Sequence, residues 1–221
     1  MPVKGQLIAE GAYTFHRGEE TTGRETWQLT KLAHGGLLFN SRAETTQPQP
    51  MSWTLTYEIT QHWAPVSLVI RLDANGKVIA SEQRVRGAQW TARIEARAEQ
   101  PQDHALDFSA KHEVGFVSPL SSAVTLVRLN LQVGQSREID AIMISLPTLE
   151  PRAVKQKYAC VAEEKIQVPA GAFTAWHYTA QTIDPQIENH FWADRYGTIL
   201  LNQSADGDLV QLARYRRIER R

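Results

Sequence analysis

The residues with the most chemistry in reach of one another lie toward the carboxy-terminal end: His177, His190, Trp192 and Asp194. His190, Trp192 and Asp194 alternate, and alternate residues of a strand share one face. If Phe173–Thr179 pairs with Glu188–Asp194 across a turn at Asp184-Pro185, His177 comes to lie near His190. Two imidazoles and a carboxylate brought together can bind a metal or share a proton. Against this, polar residues on one strand face are ordinarily its solvent side. No close histidine pair or CxxC spacing marks a zinc site. The chain has no phosphate loop, no dinucleotide-binding glycine fingerprint and no nucleophile elbow. The expectation is therefore no bound metal, no cofactor and no catalytic constellation. The single cysteine, Cys160, sits in the apolar run Tyr158-Ala159-Cys160-Val161. It reads as a small buried hydrophobe, because no adjacent histidine or cation is present to lower its pKa.

Tryptophan is the more informative residue type. The six tryptophans, Trp27, Trp53, Trp63, Trp90, Trp176 and Trp192, fall on separate strands or their ends. Each carries an N–H that seeks a partner. Ordinary core packing accounts for some of them. In a curved sheet one face lines an interior and the other meets solvent. An interior wall of Trp27, Trp53, Tyr57, Trp90 and Trp192, with Arg71 or Arg93 near its mouth, would suit an acyl chain bearing a polar head.

The elements that must position these residues are strands. Trp53-Thr54-Leu55-Thr56-Tyr57-Glu58-Ile59 alternates, so Trp53, Leu55, Tyr57 and Ile59 share one face and the polar residues the other. Ala12–His16 and Glu25–Thr30 alternate likewise. Turn residues separate the runs at His34-Gly35-Gly36, Asp73-Ala74-Asn75-Gly76, Pro169-Ala170-Gly171 and Asp206-Gly207-Asp208. Consecutive hairpins of this kind predict a meander of about a dozen strands. Gln47–Pro50 and Gln100–Asp103 read as polar loops. Between Ser118 and Leu129 the pattern changes. Ser118 can cap a short helix and Pro119 can occupy its first position, against the β-branched residues that follow.

The chain has 221 residues, 42% of them hydrophobic and 22% charged, an ordinary globular balance with enough length for a sizeable core. No linker divides it, so residues 1–221 are expected to form one β-rich domain. Its 24 basic and 24 acidic residues cancel, which argues against a general nucleic-acid binder. The basic stretch Arg214–Arg221 reads as a solvated strand end and tail. One thiol implies no oxidising compartment. No apolar run approaches a membrane span, and Met1–Gly5 opens no signal-like segment. A cytoplasmic protein is the expectation.

The stretch Gly115–Tyr158 resembles the bacterial family described as putative glycolipid-binding proteins. The likeness rests on Gly115-Phe116 through Pro119, Arg128-Leu129, Val133-Gly134-Gln135-Ser136, the strand at Ala141, Pro147-Thr148-Leu149, and Gln156-Lys157-Tyr158. Tyr57, Trp63 and Gly87-Ala88-Gln89-Trp90 fit upstream. The chain departs from the pattern at Lys111-His112-Glu113, where the family has an acidic cluster, and at Ser121-Ser122-Ala123, where it is asparagine-rich. Farther on, Val168–Phe173 and Phe191-Trp192-Ala193-Asp194 look like bacterial β-proteins of the lipoprotein-carrier type. The resemblance implies an antiparallel sheet, curled into an open or partly closed barrel around a helical segment, with a lipidic ligand. It transfers no catalytic residue. The leading expectation is a non-enzymatic binding protein for a hydrophobic or glycolipid-like small molecule. The alternatives are a cofactor-free enzyme on the same scaffold and an interaction protein using an exposed sheet face.

Overall fold

The computed structural model describes residues 5–97, 99–184 and 186–218. In chain order it contains β1 (Gly5–Arg17), β2 (Glu20–Leu32), β3 (Leu37–Thr45), β4 (Met51–Ile59), β5 (Pro65–Ala74), β6 (Lys77–Arg86), β7 (Gln89–Ala96), β8 (Gln102–Asp107) and β9 (Glu113–Gly115). There follow α1 (Pro119–Leu129), β10 (Ser136–Ile144), β11 (Pro151–Val168), β12 (Gly171–Thr182), β13 (Ile187–Ala193), β14 (Ile199–Gln203) and β15 (Leu209–Arg217).

All fifteen described strands belong to one sheet, ordered β8-β7-β6-β5-β4-β3-β2-β1-β15-β14-β13-β12-β11-β10-β9. Two meandering arms therefore run outward from the pairing of the first strand with the last, Ala9 opposite Arg217 and Gly11 opposite Tyr215. Every neighbouring pair is antiparallel except β9 with β10. That exception has a topological cause. Parallel neighbours need a crossover, and α1 supplies it. The sheet curls far enough for β8 to approach β11, but its end strands β8 and β9 do not pair with each other. The fold is an open, curved sheet around one helix.

Local chemistry explains the elements. The β5–β6 hairpin turns on Asn75 and Gly76, both at positive φ (54° and 78°), as a two-residue turn of mirror-image type demands. Trp53, Leu55, Tyr57 and Ile59 are buried together on the inner face of β4, as their alternation predicts. The helix is capped by Ser118, whose hydroxyl accepts the Leu120 N–H, and Pro119 opens its first turn. Asn130 closes it in the left-handed region and donates its N–H to Leu126 O at 3.0 Å. Val124 and Thr125 disfavour a helix locally, yet both are buried in this one, so packing outweighs propensity. Arg128 anchors the helix to β9 by a buried ion pair with Glu113, 2.8 Å long.

Two expectations need correction. The sheet has fifteen described strands rather than about a dozen. Gln102 and Asp103 lie in β8, not in a loop, paired with Ile94 and Arg93 of β7. This edge strand is mostly exposed and polar, so no apolar alternation marks it. Among the described residues no helix is long and apolar enough to cross a membrane.

Candidate ligand cavity

A cavity of about 350 Å³ lies between α1 and the inner face of the sheet around β1–β3, β12, β13 and β15. Its floor is built by strand register. Tyr13 on β1, Trp27 on β2, Phe39 on β3 and Tyr215 on β15 all turn inward. Gly11, which pairs with both Trp27 and Tyr215, leaves room for the Trp27 indole, since a β-carbon there would collide with it. The rings form a connected row. Trp27 stacks on Tyr13 with centroids 6.1 Å apart, meets Tyr215 at 6.1 Å and meets Phe39 edge-on at 6.4 Å. Trp63 continues the row from Phe39 at 6.2 Å. Trp176 and Tyr178 of β12 complete the aromatic wall, and α1 covers it with Leu120, Ala123, Leu126 and Val127.

The rim is polar and is made by the turn after β13. Asp194 Oδ1 accepts N–H bonds from Tyr196 at 2.9 Å and Thr198 at 2.8 Å, which fixes the turn. Gly197 sits at φ +79°, and a β-carbon there would run into Val127 of α1. A side chain would therefore be strained and would push turn and helix apart. The turn presents Tyr196 outward. The Arg217 guanidinium lies 3.6 Å from the Tyr196 ring centroid, and that of Arg195 lies 4.6 Å from it. Burial raises the Asp194 carboxyl, and the turn N–H groups together with Arg217 pull it back. Burial also holds the Tyr13 phenol well above its ordinary value, with Glu25 and Asp194 adding to the rise.

Two carboxyl groups, Glu25 and Glu113, are buried in the interior. Glu25, on β2, is fully enclosed and accepts a 2.7 Å hydrogen bond from Ser118 Oγ, the helix-capping hydroxyl. Burial pushes this carboxyl up to about 7, with the Ser41 and Ser118 hydroxyls opposing. Glu113 is also pushed up to about 7 by burial, against the pull of Arg128.

Of the residues named from sequence, Trp27 lines the cavity. Trp53, Tyr57 and Trp90 are inner-face residues packed into other parts of the core. Trp53 sits between Phe15 and Phe116, and Trp90 donates its indole N–H to Gln83 Oε1 at 2.8 Å. Arg71 and Arg93 are exposed strand residues away from the mouth, and Arg93 is engaged with Glu95 at 2.9 Å. Both sit at positions that alternate with buried neighbours, which sends them outward. The arginines at the rim are Arg195 and Arg217; Arg214, Arg216 and Arg217 at the end of β15 are all exposed, as a solvated strand end requires. Residues 219–221 of that stretch, like residues 1–4 and Pro185, lie outside the described residues.

The histidine cluster forms, but without Asp194. Phe191 and Ala193 point inward, so His190 and Trp192 take the opposite face, where His177 pairs with Trp192 and stacks on it at 4.2 Å. His177 Nε2 lies 3.0 Å from His190 Nδ1. The ring centroids are 5.3 Å apart, the separation of two rings joined head-on through these nitrogens. Such a line suits one shared proton. A metal bound by both rings would need their lone pairs to converge away from it. Glu164 meets His177 Nδ1 at 3.1 Å, and Glu188 approaches His190 Nε2 at 3.5 Å. Burial lowers the His177 pKa, with Glu164 opposing. Among the described residues no three metal-ligating side chains gather. Cys160 is buried, and burial raises its thiol pKa.

Sequence reasoning missed Tyr13, Phe39, Tyr178, Tyr196 and Tyr215 as cavity residues, and Trp63 and Trp176 were counted without a place. The usable signal was alternation: Tyr13 shares a strand face with Gly11 and Tyr215 with Arg217. Which faces meet across the sheet depends on register, which alternation alone does not provide.

Residues 15–182 match the model of a family described as "Putative glycolipid-binding". No curated protein sequence matches the chain. The crystal structure of a DUF1089 family protein from Pseudomonas aeruginosa superposes with a TM-score of 0.56 at 19% identity, covering 82% of this chain and 89% of that one. A beta-barrel-like protein of the DUF1849 domain family from Brucella abortus superposes with a TM-score of 0.66 at 12% identity, covering 97% of this chain and 99% of that one. At these identities the likeness is one of fold. The hypothetical lipoprotein YmcC of Escherichia coli, at 12% identity, aligns over 97% of this chain and 86% of that one with a TM-score of only 0.35.

Proposed function

Because the chain belongs to the family described as putative glycolipid-binding, we propose that it is a binding protein for a hydrophobic or glycolipid-like small molecule, held between α1 and the sheet. The observation that carries this reading is the cavity itself. It has an aromatic floor, an aliphatic roof from α1 and a polar rim at Asp194–Thr198. Its volume of about 350 Å³ falls at the lower end of the range for ligand pockets. An apolar tail would bury its methylenes against Trp27, Phe39 and Trp63, and its head would remain at the rim.

The enzyme alternative needs titratable groups converging within hydrogen-bond reach inside the cavity. His177 and His190 lie on the other face of β12 and β13. Asp194 is committed to its own turn. This arrangement favours binding over catalysis.

Tryptophan fluorescence titrated with saturated fatty acids of increasing length tests the proposal, because Trp27, Trp63 and Trp176 line the site. Each buried methylene contributes about 0.8 kcal/mol at most, roughly a fourfold gain in affinity, less the costs of association. Affinity should climb with chain length and then level off as the cavity fills. An unchanged spectrum at every length would remove the reading.

A further inference from the structure

We propose that the head group taken at this rim is an anion, a carboxylate or a phosphate, gripped by Arg195 and Arg217 on either side of the Tyr196 hydroxyl. The inference rests on the reading of the cavity as a site for a lipid-like ligand, and goes beyond it by naming the chemistry of the head.

The placement of Arg217 is the first reason. It extends the row that carries Tyr215 on β15, and it pairs with Ala9 of β1, itself a cavity residue. Its guanidinium is thus brought to the cavity wall by register. Arg195 reaches the same point from the turn after β13. Among the described residues neither arginine has a carboxylate within 4.0 Å, as is true of several other exposed arginines; what sets these two apart is that both line the same cavity mouth.

The second reason is the geometry of the stack. Both guanidinium groups lie against the Tyr196 ring. The Arg217 guanidinium, stacked through its face, keeps its edge N–H groups available, and Arg195 keeps those it does not give to Tyr196; that planar fork matches the oxygens of a carboxylate or phosphate. Tyr196 is 38% exposed, and its hydroxyl accepts a hydrogen bond from Arg195, leaving its own O–H to donate outward. The rim is therefore rich in donors.

The third reason is charge. The ionisable groups at the mouth are Arg195, Arg217, Asp194 and the phenols Tyr196 and Tyr215. Among the described residues lining the mouth Asp194 is the one opposing charge, and its Oδ1 is already held by two backbone N–H groups. A neutral sugar hydroxyl can accept from these groups but brings no charge, whereas an anionic oxygen pair makes shorter, stronger and bidentate bonds to a guanidinium. An anion would satisfy this donor set.

Isothermal titration with decanoate, decyl phosphate and decyl glucoside, which share one tail, separates head from tail. At least one anionic ligand should bind about tenfold more tightly than the glucoside, the scale of a single charged hydrogen bond. The preference should shrink at high salt, since the rim is partly exposed. The better of decanoate and decyl phosphate identifies the head group as carboxylate or phosphate. In Arg217→Gln and Arg195→Gln the ratio of anion to glucoside affinity should fall toward one, with circular dichroism confirming that each variant is folded. Trp27→Leu should weaken all three ligands alike. Equal affinities in the native protein, or a preference for the glucoside, would overturn the anionic head while leaving the cavity reading intact. Failure of all three ligands to bind would overturn the cavity reading and this proposal with it.

Discussion

Glu25 shows how far one buried residue can shape the behaviour of the molecule. Its folded-state pKa of about 7 stands above the ordinary value of 4.5. Between those two values the folded chain holds a proton that the unfolded chain releases. The contribution to stability is therefore complete below about pH 4.5 and is lost as pH rises through 7. Glu25→Gln should remove that slope, up to about 1.4 kcal/mol per pH unit. Urea denaturation of both proteins at pH 5 and pH 8 reads it: the variant should gain stability relative to the native chain at the higher pH, and parallel pH dependences would contradict the assignment. Trp27 is the second residue with a distinct expectation. It touches Tyr13, Phe39 and Tyr215. Replacing it with leucine removes ring area from the floor of the site, so a saturating fatty acid should bind several-fold more weakly by calorimetry.

Among the elements, α1 and the turn that closes against it decide whether the cavity exists. Ser118 serves two partners at once, receiving the Leu120 N–H and donating to Glu25. A lost cap costs about 1 kcal/mol. A buried acceptor left without its donor costs about 1–3 kcal/mol more. Ser118→Ala should therefore be destabilised beyond an ordinary cap substitution, and double-mutant analysis with Glu25→Gln should show that the two changes do not add. Gly197 is constrained by backbone conformation and by Val127 together. Gly197→Ala should displace the rim turn from the helix, at a cost of order 1–3 kcal/mol, and should lower ligand affinity more than an exposed-turn glycine such as Gly207 does when replaced in the same way. Thermal melts and titrations of the two variants make the comparison.

At the scale of the whole molecule, one strand pairing joins the two arms of the sheet. β1 belongs to the arm that runs to β8, and β15 belongs to the arm that runs back to β9. Their contact brings together the two ends of the sequence and places Tyr13, Trp27 and Tyr215 around one space. A chain ending before Leu209 loses this junction. It also leaves β1 and β14 with unpaired edges and Leu212 absent from the core. Such a truncated chain should show no cooperative thermal transition by circular dichroism, and a two-state melt near that of the full chain would argue that the arms are independent.

Local chemistry in the sequence determined the strands, their faces and the helix. The alternation through Trp53 and Ile59, the Asn75-Gly76 turn, and Ser118-Pro119 each act over a few residues, and each appears in the structure as read. The nearness of His177 to His190 was legible for the same reason, since one hairpin separates them. The cavity was not legible. Whether an inward-facing aromatic joins a packed core, as Trp53 and Trp90 do, or borders open space, as Trp27 does, depends on how far the helix stands off the sheet at that point. It also depends on which strands lie opposite. Asp194 left the histidine face because β13 ends at Ala193 and the chain turns there. Arg217 reached the rim because β15 pairs with a strand some two hundred residues earlier. Register between distant strands is fixed by the sum of many weak packing terms across the sheet, and only the folded chain evaluates that sum.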